Sequence, residues 1–337
     1  MRAFRLVAPH TVQRVELPDP APQPNEALVE VLACGVCGTD LHLKNLGHGA
    51  WRGNPLTLGH EIVGRIAHLP ADYRGALQVS DPVVIDPQIV CGACYFCRRG
   101  RLNLCERLEH IGISTDGGFA DYIAVPPRNL YRVPEGDLPL HEFALVEPVA
   151  TCVAGMNLAN PRPDEPVAVV GLGFFGQIYL QLARLWGVQT LFGIDPLPHR
   201  RELASQHTQA HTATPEEARE LILAHTDGRG ASVVVDAAGS PTAAQTCVEL
   251  ASKAGRIIVF GYRPEPVQVD WYQILVKELT VIGSRSSNHA WEHSLTLVAQ
   301  RKLRFDGLTQ TYPFDAIEQA FADAEAKKVY KPIVQMR

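Results

Sequence analysis

Cys91, Cys94, Cys97 and Cys105 follow one another in the run CGACYFCRRGRLNLC with the spacing C-x2-C-x2-C-x7-C. Four thiolates brought into one short loop form a tetrahedral shell, and closed all-thiolate shells of this kind hold structural zinc. The ion offsets thiolate repulsion, so its binding contributes directly to the folding of that lobe. Disulfides are the competing reading, and the reducing cytoplasm that the rest of the sequence implies disfavours them. A second chemistry-bearing run is GLGFFG, residues 171–176, a G-x-G-x-x-G. Gly171 permits the tight turn, Gly173 the close approach of a pyrophosphate, and Gly176 close packing of helix on strand. The helix N-terminus then turns its positive dipole end toward the phosphates. Asp195 lies 19 residues beyond Gly176, where a carboxylate accepts both ribose hydroxyls and repels a 2′-phosphate. NAD is therefore expected over NADP, with Arg200 and Arg201 nearby as cations that would ease a 2′-phosphate.

These residues need elements to hold them. PVAVVG (166–171) reads as an apolar strand and FFGQIYLQLARLWG (174–187) as a helix, with TLFGID (190–195) the next strand. The alternation continues through PEEARELILAH (215–225), SVVVDAAG (232–239), PTAAQTCVELAS (241–252) and GRIIVFG (255–261). It predicts a parallel sheet covered by helices on both faces. The first ~145 residues differ, with Pro, Gly and short β-like runs such as ALVEVLA (27–33), EIVGRIAHL (61–69), DPVVIDP (81–87) and FADYIAVP (119–126). The texture changes near residue 148, and the tail from about 286, with DAIEQAFADAEA and KPIVQM, leaves the alternation.

A chain of 337 residues suggests two domains, and 46% hydrophobic with 20% charged residues is ordinary for a globular protein with real cores. A net charge of −5 offers no basic field to nucleic acid. The opening MRAFRLVAPHTV has no long apolar core, so no signal peptide is expected. No apolar run approaches the ~20 residues that span a bilayer. Eight cysteines under those conditions point to a cytoplasmic protein with ligand or buried thiols; Cys152 and Cys247 are read as the latter.

Upstream stand GVCGTDLH (35–42), GHE (59–61) and VEPVATC (146–152). With these segments, the four-cysteine run and the nucleotide motif in this order, the chain resembles the zinc-dependent medium-chain dehydrogenases over nearly its whole length. It is most similar to their polyol, threonine and sugar-acid branch. The resemblance implies an α/β protein: a GroES-like β-rich catalytic domain (1–146) with a structural zinc lobe at about 88–108, a Rossmann domain (147–285), and a C-terminal return (286–337). It implies a catalytic zinc on Cys37 and His60, with Glu147 as third ligand and Glu61 as its rival. Alone, Cys37 would be a buried thiol, His60 a turn histidine and Glu147 a salt-bridge partner. The spacing Cys34-x-x-Cys37 is formally that of a redox motif, but Cys37 is committed to metal and Cys34 falls in a strand-like run.

By the same resemblance Thr39 and His42 form a proton relay, against the plainer readings of a loop hydrogen bonder and a surface histidine. Imidazole suits that task because it titrates near pH 6.5. Thr151 is implied beside the nicotinamide, and Phe174-Phe175 replaces the small residues or Pro that relatives place in the nucleotide loop. Ser80-Asp81-Pro82 replaces a Gly-Asp-Arg turn. GISTDGGFADY (112–122), GSR (283–285) and VYKPIVQM (329–336) look most like sugar-acid members. Arg285 is expected to clamp a substrate hydroxyl or carboxylate, with an interdomain salt bridge as the alternative. Trp51, His48 and Phe119 are expected to line the pocket or pack beneath it. The implied reaction moves a hydride from a secondary alcohol of a sugar acid or polyol to NAD, the zinc polarising the oxygen. Threonine or general polyol oxidation is the alternative within the class, and a non-catalytic NAD-binding sensor the alternative outside it. A homodimer or homotetramer is implied, with no nucleic-acid or membrane partner.

Overall fold

The computed structural model describes residues 1–8, 10–46, 55–261 and 266–336. The chain divides into two compact units: Met1–Pro148 with Trp291–Gln300 and Leu308–Arg337, and Val149–Ala290 with Arg301–Gly307. Residues 301–307 rejoin the second unit because Arg304 N–H donates to Gln181 Oε1 at 2.7 Å and Gln181 Nε2 returns a bond to the Arg304 carbonyl at 3.0 Å. A polar Gln–backbone exchange of this kind leaves no periodic trace in sequence.

The first unit is built on strand Ala27–Gly35. Its first six residues alternate between buried and half-buried, and its last three, Ala33, Cys34 and Gly35, are all buried. That end therefore lies between other strands. Glu61–His68 pairs antiparallel on one side, placing Gly35 opposite Glu61, and Lys331–Gln335 pairs antiparallel on the other, placing Ile333 opposite Gly35. The sheet runs Leu130–Arg132, Pro82–Ile85, Glu61–His68, Ala27–Gly35, Lys331–Gln335, Thr309–Pro313, with Tyr122–Val125 also on Ala27–Gly35. Phe4, Leu6, Val29, Val31, Ile62, Ile66 and Phe321 fill its core. The departure at Ser80 has a structural cost: Ser80 holds φ +76°, a left-handed conformation that glycine adopts more cheaply.

The second unit is a six-stranded, wholly parallel sheet in the order His211–Ala213, Leu191–Ile194, Val167–Val170, Ala231–Asp236, Ala251–Val259, Thr280–Gly283. Every residue of Val167–Val170 and Leu191–Ile194 is buried, as strands covered on both faces require. Helix Phe174–Leu185 follows the first strand directly. The expected strands and helices of this half form within a few residues of their sequence runs. Helix Pro198–Thr208 forms as well, although PHRRELASQHT carries no apolar stripe.

Candidate active site

Strand Ala27–Gly35 ends two residues before Cys37, and helix Gly38–Leu46 begins one residue after it. The turn between them is fixed by Asp40, whose Oδ2 accepts the Cys37 N–H at 2.8 Å and whose Oδ1 accepts the Gly59 N–H at 3.0 Å. One buried carboxylate thus ties the Cys37 turn to the Gly59-His60-Glu61 turn. Its Oδ1 also lies 3.8 Å from His60 Nδ1. A carboxylate behind an imidazole fixes ring orientation and raises ligand basicity in metal sites.

The donor atoms of Cys37, His60 and Glu61 all lie within 4.8 Å of one another, and all three side chains are buried. Glu61 Oε2 is enclosed with no hydrogen-bond partner among the described residues. It packs so closely on Gly35 that a methyl there would fall 2.0 Å from it. Glu61 Oε1 instead accepts a 2.5 Å bond from Lys331 Nζ, which also donates to the Val36 carbonyl at 3.2 Å. Burial works against the lysine charge, yet Glu61 and Cys37 outweigh it and hold the Lys331 pKa above its ordinary value. Burial pushes the Cys37 thiol up to about 12, with Lys331 opposing and Glu61 and Asp40 reinforcing the shift. Glu147, on helix Val146–Ala159, falls outside the group of three but is electrostatically coupled to it. Burial raises its carboxyl to about 8, opposed by His60 and Lys331 and increased by Glu61 and Cys37.

A thiol, an imidazole and an unpartnered carboxylate oxygen, all enclosed, fit a divalent cation of borderline softness. Thr39 Oγ1 stands 3.7 Å from Cys37 Sγ. His42 is half-buried three residues further along the same helix.

The four remaining ligand cysteines also converge, their sulfurs within 4.8 Å of one another. Cys91 Sγ and Cys97 Sγ are 4.0 Å apart, close to the ~3.8 Å that tetrahedral Zn–S bonds of ~2.3 Å require. Cys105 Sγ accepts the N–H groups of Cys91 and Arg107 at 3.3 and 3.4 Å. Hydrogen bonds from the Ala93 and Cys94 backbone, against some desolvation, bring Cys91 down to about 6. The donor set fits a closed zinc shell.

In the second unit, Gly171 takes φ +92°, and a methyl on Gly176 would meet the Gly171 carbonyl at 1.9 Å. Gly173 caps helix Phe174–Leu185, whose first turn carries Phe174 and Phe175. Phe174 is buried, and the Phe175 ring meets Phe260 edge-on at 5.0 Å. Asp195 follows strand Leu191–Ile194; its Oδ2 accepts the Leu172 N–H at 2.8 Å and its Oδ1 the Leu197 N–H at 2.9 Å. Arg200 Nη1 lies 3.5 Å from the same Oδ2. Arg201 Nη1 donates instead to the Asp195 and Pro196 carbonyls at 2.8 and 2.9 Å. Thr151 is half-buried on helix Val146–Ala159, and Arg285 is exposed two residues past strand Thr280–Gly283, at the carboxyl edge of the parallel sheet.

Of the two readings of Phe119, the structure favours the second. Phe119 is fully buried, its ring 5.6 Å from Phe321, so it belongs to the core beneath the site rather than to its wall. Trp51 and His48 lie outside the described residues. Three side chains that sequence reasoning passed over join the sites. Asp40 and Lys331 serve the metal group, and Gln177 Nε2 donates to the Arg200 and Leu172 carbonyls at 2.9 and 3.3 Å, bracing the glycine loop.

Residues 23–135 match the family described as alcohol dehydrogenase GroES-like domain, and residues 175–300 that of zinc-binding dehydrogenase. Among curated relatives, L-threonine 3-dehydrogenase of Pyrococcus horikoshii is 32% identical over 333 residues, 96% of this chain and 94% of the relative. L-galactonate-5-dehydrogenase of Escherichia coli is 32% identical over 315 residues, 90% and 88% of the two chains. A zinc-binding dehydrogenase of Sinorhizobium meliloti, solved with NADP, superposes with a TM-score of 0.89 at 32% identity, covering 99% of this chain and 98% of the other. With both metal-fitting groups and the dinucleotide loop in place, the chain belongs to the zinc-dependent medium-chain dehydrogenases of the polyol and sugar-acid branch, and is an NAD(P)-dependent oxidoreductase.

Proposed function

We propose that the chain oxidises a secondary alcohol of a polyhydroxy substrate, a sugar acid or polyol, using NAD in preference to NADP, at a zinc held by Cys37, His60 and one carboxylate. The observation that carries this reading is the enclosed group of Cys37, His60 and Glu61 with its unpartnered Glu61 oxygen. Glu61 is favoured as the third ligand over Glu147 because it shares that group. The likeness to L-galactonate-5-dehydrogenase supports the sugar-acid class. The equal identity to L-threonine 3-dehydrogenase favours threonine as the second reading. A sugar acid and threonine each carry a carboxylate, and the exposed Arg285 suits that group.

When bound, zinc supplies Lewis acidity toward the alcohol oxygen and the nicotinamide accepts the hydride. The chain's residues do the rest. Asp40 sets a carboxylate 3.8 Å behind His60 Nδ1 and fixes the turn of Cys37. Lys331 holds one oxygen of Glu61 and offsets the buried negative charge around the alcohol. Thr39 Oγ accepts the substrate proton and passes it toward His42, half-buried and able to exchange with water. The glycine loop and Asp195 hold the dinucleotide, whose ribose hydroxyls the carboxylate accepts.

Self-association belongs to the same proposal. Thr280–Gly283 is an edge strand, and Trp271, Tyr272 and Leu275 just before it are 74%, 66% and 72% exposed. An open edge beside apolar side chains suits pairing with a second copy. No helix among the described residues is long and apolar enough to cross a membrane. Hexonates, hexitols and L-threonine assayed with NAD by NADH absorbance test the substrate reading. A hexonate or hexitol is expected to give the highest kcat/KM, and threonine giving it would replace that reading with the second.

A further inference from the structure

The four-cysteine shell is not enclosed evenly. Cys97 and Cys105 are buried, whereas Cys91 and Cys94 are half-buried, so solvent reaches the group from the side of the latter two. Four thiolates around one divalent ion leave two net negative charges. Backbone N–H groups temper them: Cys105 Sγ accepts from Cys91 and Arg107, and Cys91 Sγ from Ala93 and Cys94. Peptide dipoles carry no net charge, so neutralising the shell takes a cation. The run from 91 to 107 holds four candidates, Arg98, Arg99, Arg101 and Arg107, all exposed, against one carboxylate, Glu106. Arg99 is turned elsewhere. Its guanidinium carbon lies 3.7 Å from the centroid of the Tyr95 ring, and its Nη1 donates to the Tyr95 carbonyl at 3.3 Å. Arg107 is turned toward the sulfurs. Its backbone is pinned to the shell by the 3.4 Å bond to Cys105 Sγ, and its side chain meets Cys91 while its charge acts on Cys105 and Cys94.

We propose that Arg107 guards the open side of the structural zinc shell: its guanidinium, set against Cys91, neutralises the outer thiolates and determines how long the ion is retained. Arg107 is a positioning residue and not a ligand, since it acts through a sulfur that solvent and chelators reach. Partners behind the ligand atoms of a metal site change its affinity by about 10–100-fold. The contact is exposed, so salt screens it, and that dependence separates a charge effect from simple packing. The inference needs only the four-cysteine zinc and is independent of the substrate and of the third catalytic ligand.

The test follows zinc release from the full chain to a colorimetric chelator at neutral pH and low salt, in a Cys37→Ser background so that the four-cysteine ion is the one counted. Arg107→Gln, Arg107→Lys and Arg101→Gln are compared with the unaltered lobe. Glutamine removes the charge at the shell and is expected to speed release about tenfold. Lysine restores the charge, and Arg101→Gln removes an equal charge nearby, so both are expected to stay within about threefold. In ~1 M salt, where the Debye length is ~3 Å, the Arg107→Gln gap is expected to close to within about threefold. A second readout is spectroscopic. With cobalt in the shell, losing the cation leaves the sulfur easier to oxidise, so the sulfur-to-cobalt charge-transfer band of Arg107→Gln is expected at longer wavelength, with that of Arg101→Gln unmoved. Release from Arg107→Gln within about threefold of the unaltered lobe at low salt, equal acceleration in Arg101→Gln, or a gap that persists at ~1 M salt overturns the proposal. If the glutamine form is insoluble, Arg107→Met makes the same comparison.

Discussion

Lys331 and Glu61 are separated by 270 positions in the chain, yet their side chains meet at 2.5 Å with 2% and 0% exposure. The C-terminal strand Lys331–Gln335 and strand Glu61–His68 flank Ala27–Gly35 on opposite sides, so the last segment of the chain completes the metal group. Breaking a buried pair by deleting one partner strands the other charge. Lys331→Met is therefore expected to destabilise the first unit by about 3–5 kcal/mol, while Glu61→Gln with Lys331→Met costs clearly less than the two single changes added together. Denaturant titration of the three variants checks this non-additivity.

Asp40 predicts a different outcome. Asparagine keeps an acceptor for the Cys37 or Gly59 amide but removes the charge behind His60. Zinc affinity at the catalytic group is expected to fall about 10–100-fold while the four-cysteine zinc stays bound. Chelator competition followed by metal analysis reads this as loss of one zinc per chain ahead of the other.

Asp86 sets a pH dependence. Burial raises its carboxyl to about 6, opposed by hydrogen bonds from the Gln88 backbone and side chain. The folded state thus holds this proton more tightly than the unfolded chain, whose aspartate titrates near 3.9. Its contribution is favourable at low pH and is lost as pH rises from about 4 through about 6. Asp86→Asn is expected to gain stability relative to wild type across that window, by up to ~3 kcal/mol at pH 7. Melting temperatures measured from pH 4.5 to 7.5 should show the two curves separating upward, and parallel curves would contradict this.

Ser80 offers a stabilising change. Its φ of +76° costs a side-chain-bearing residue what glycine does not pay. Ser80→Gly is expected to raise stability by about 0.5–1 kcal/mol, less than the full strain because glycine also loosens the unfolded chain. Thermal unfolding decides it.

Much of this protein is legible in its sequence because local spacing carries the information. The four cysteines lie within fifteen residues, and the glycine loop with its flanking strand and helix needs only adjacent segments. Cys37, His60, Glu61 and Glu147 are reached through the family resemblance. Asp40 and Lys331 are not, because each acts through partners that only the folded sheet brings near. Nothing in the spacing of KPIVQM shows that its lysine will be buried against a carboxylate. Phe119 misleads for the converse reason: an aromatic next to a site and one beneath it read alike until burial is known.

Anomalous scattering at the zinc edge tests the central claim most directly. The account predicts two peaks per chain, one among Cys91, Cys94, Cys97 and Cys105 and one between Cys37 and His60. In Cys37→Ser, the second peak and turnover are expected to disappear together while NADH binding persists. A single peak at the clustered cysteines in an enzyme that remains active after chelation would contradict it.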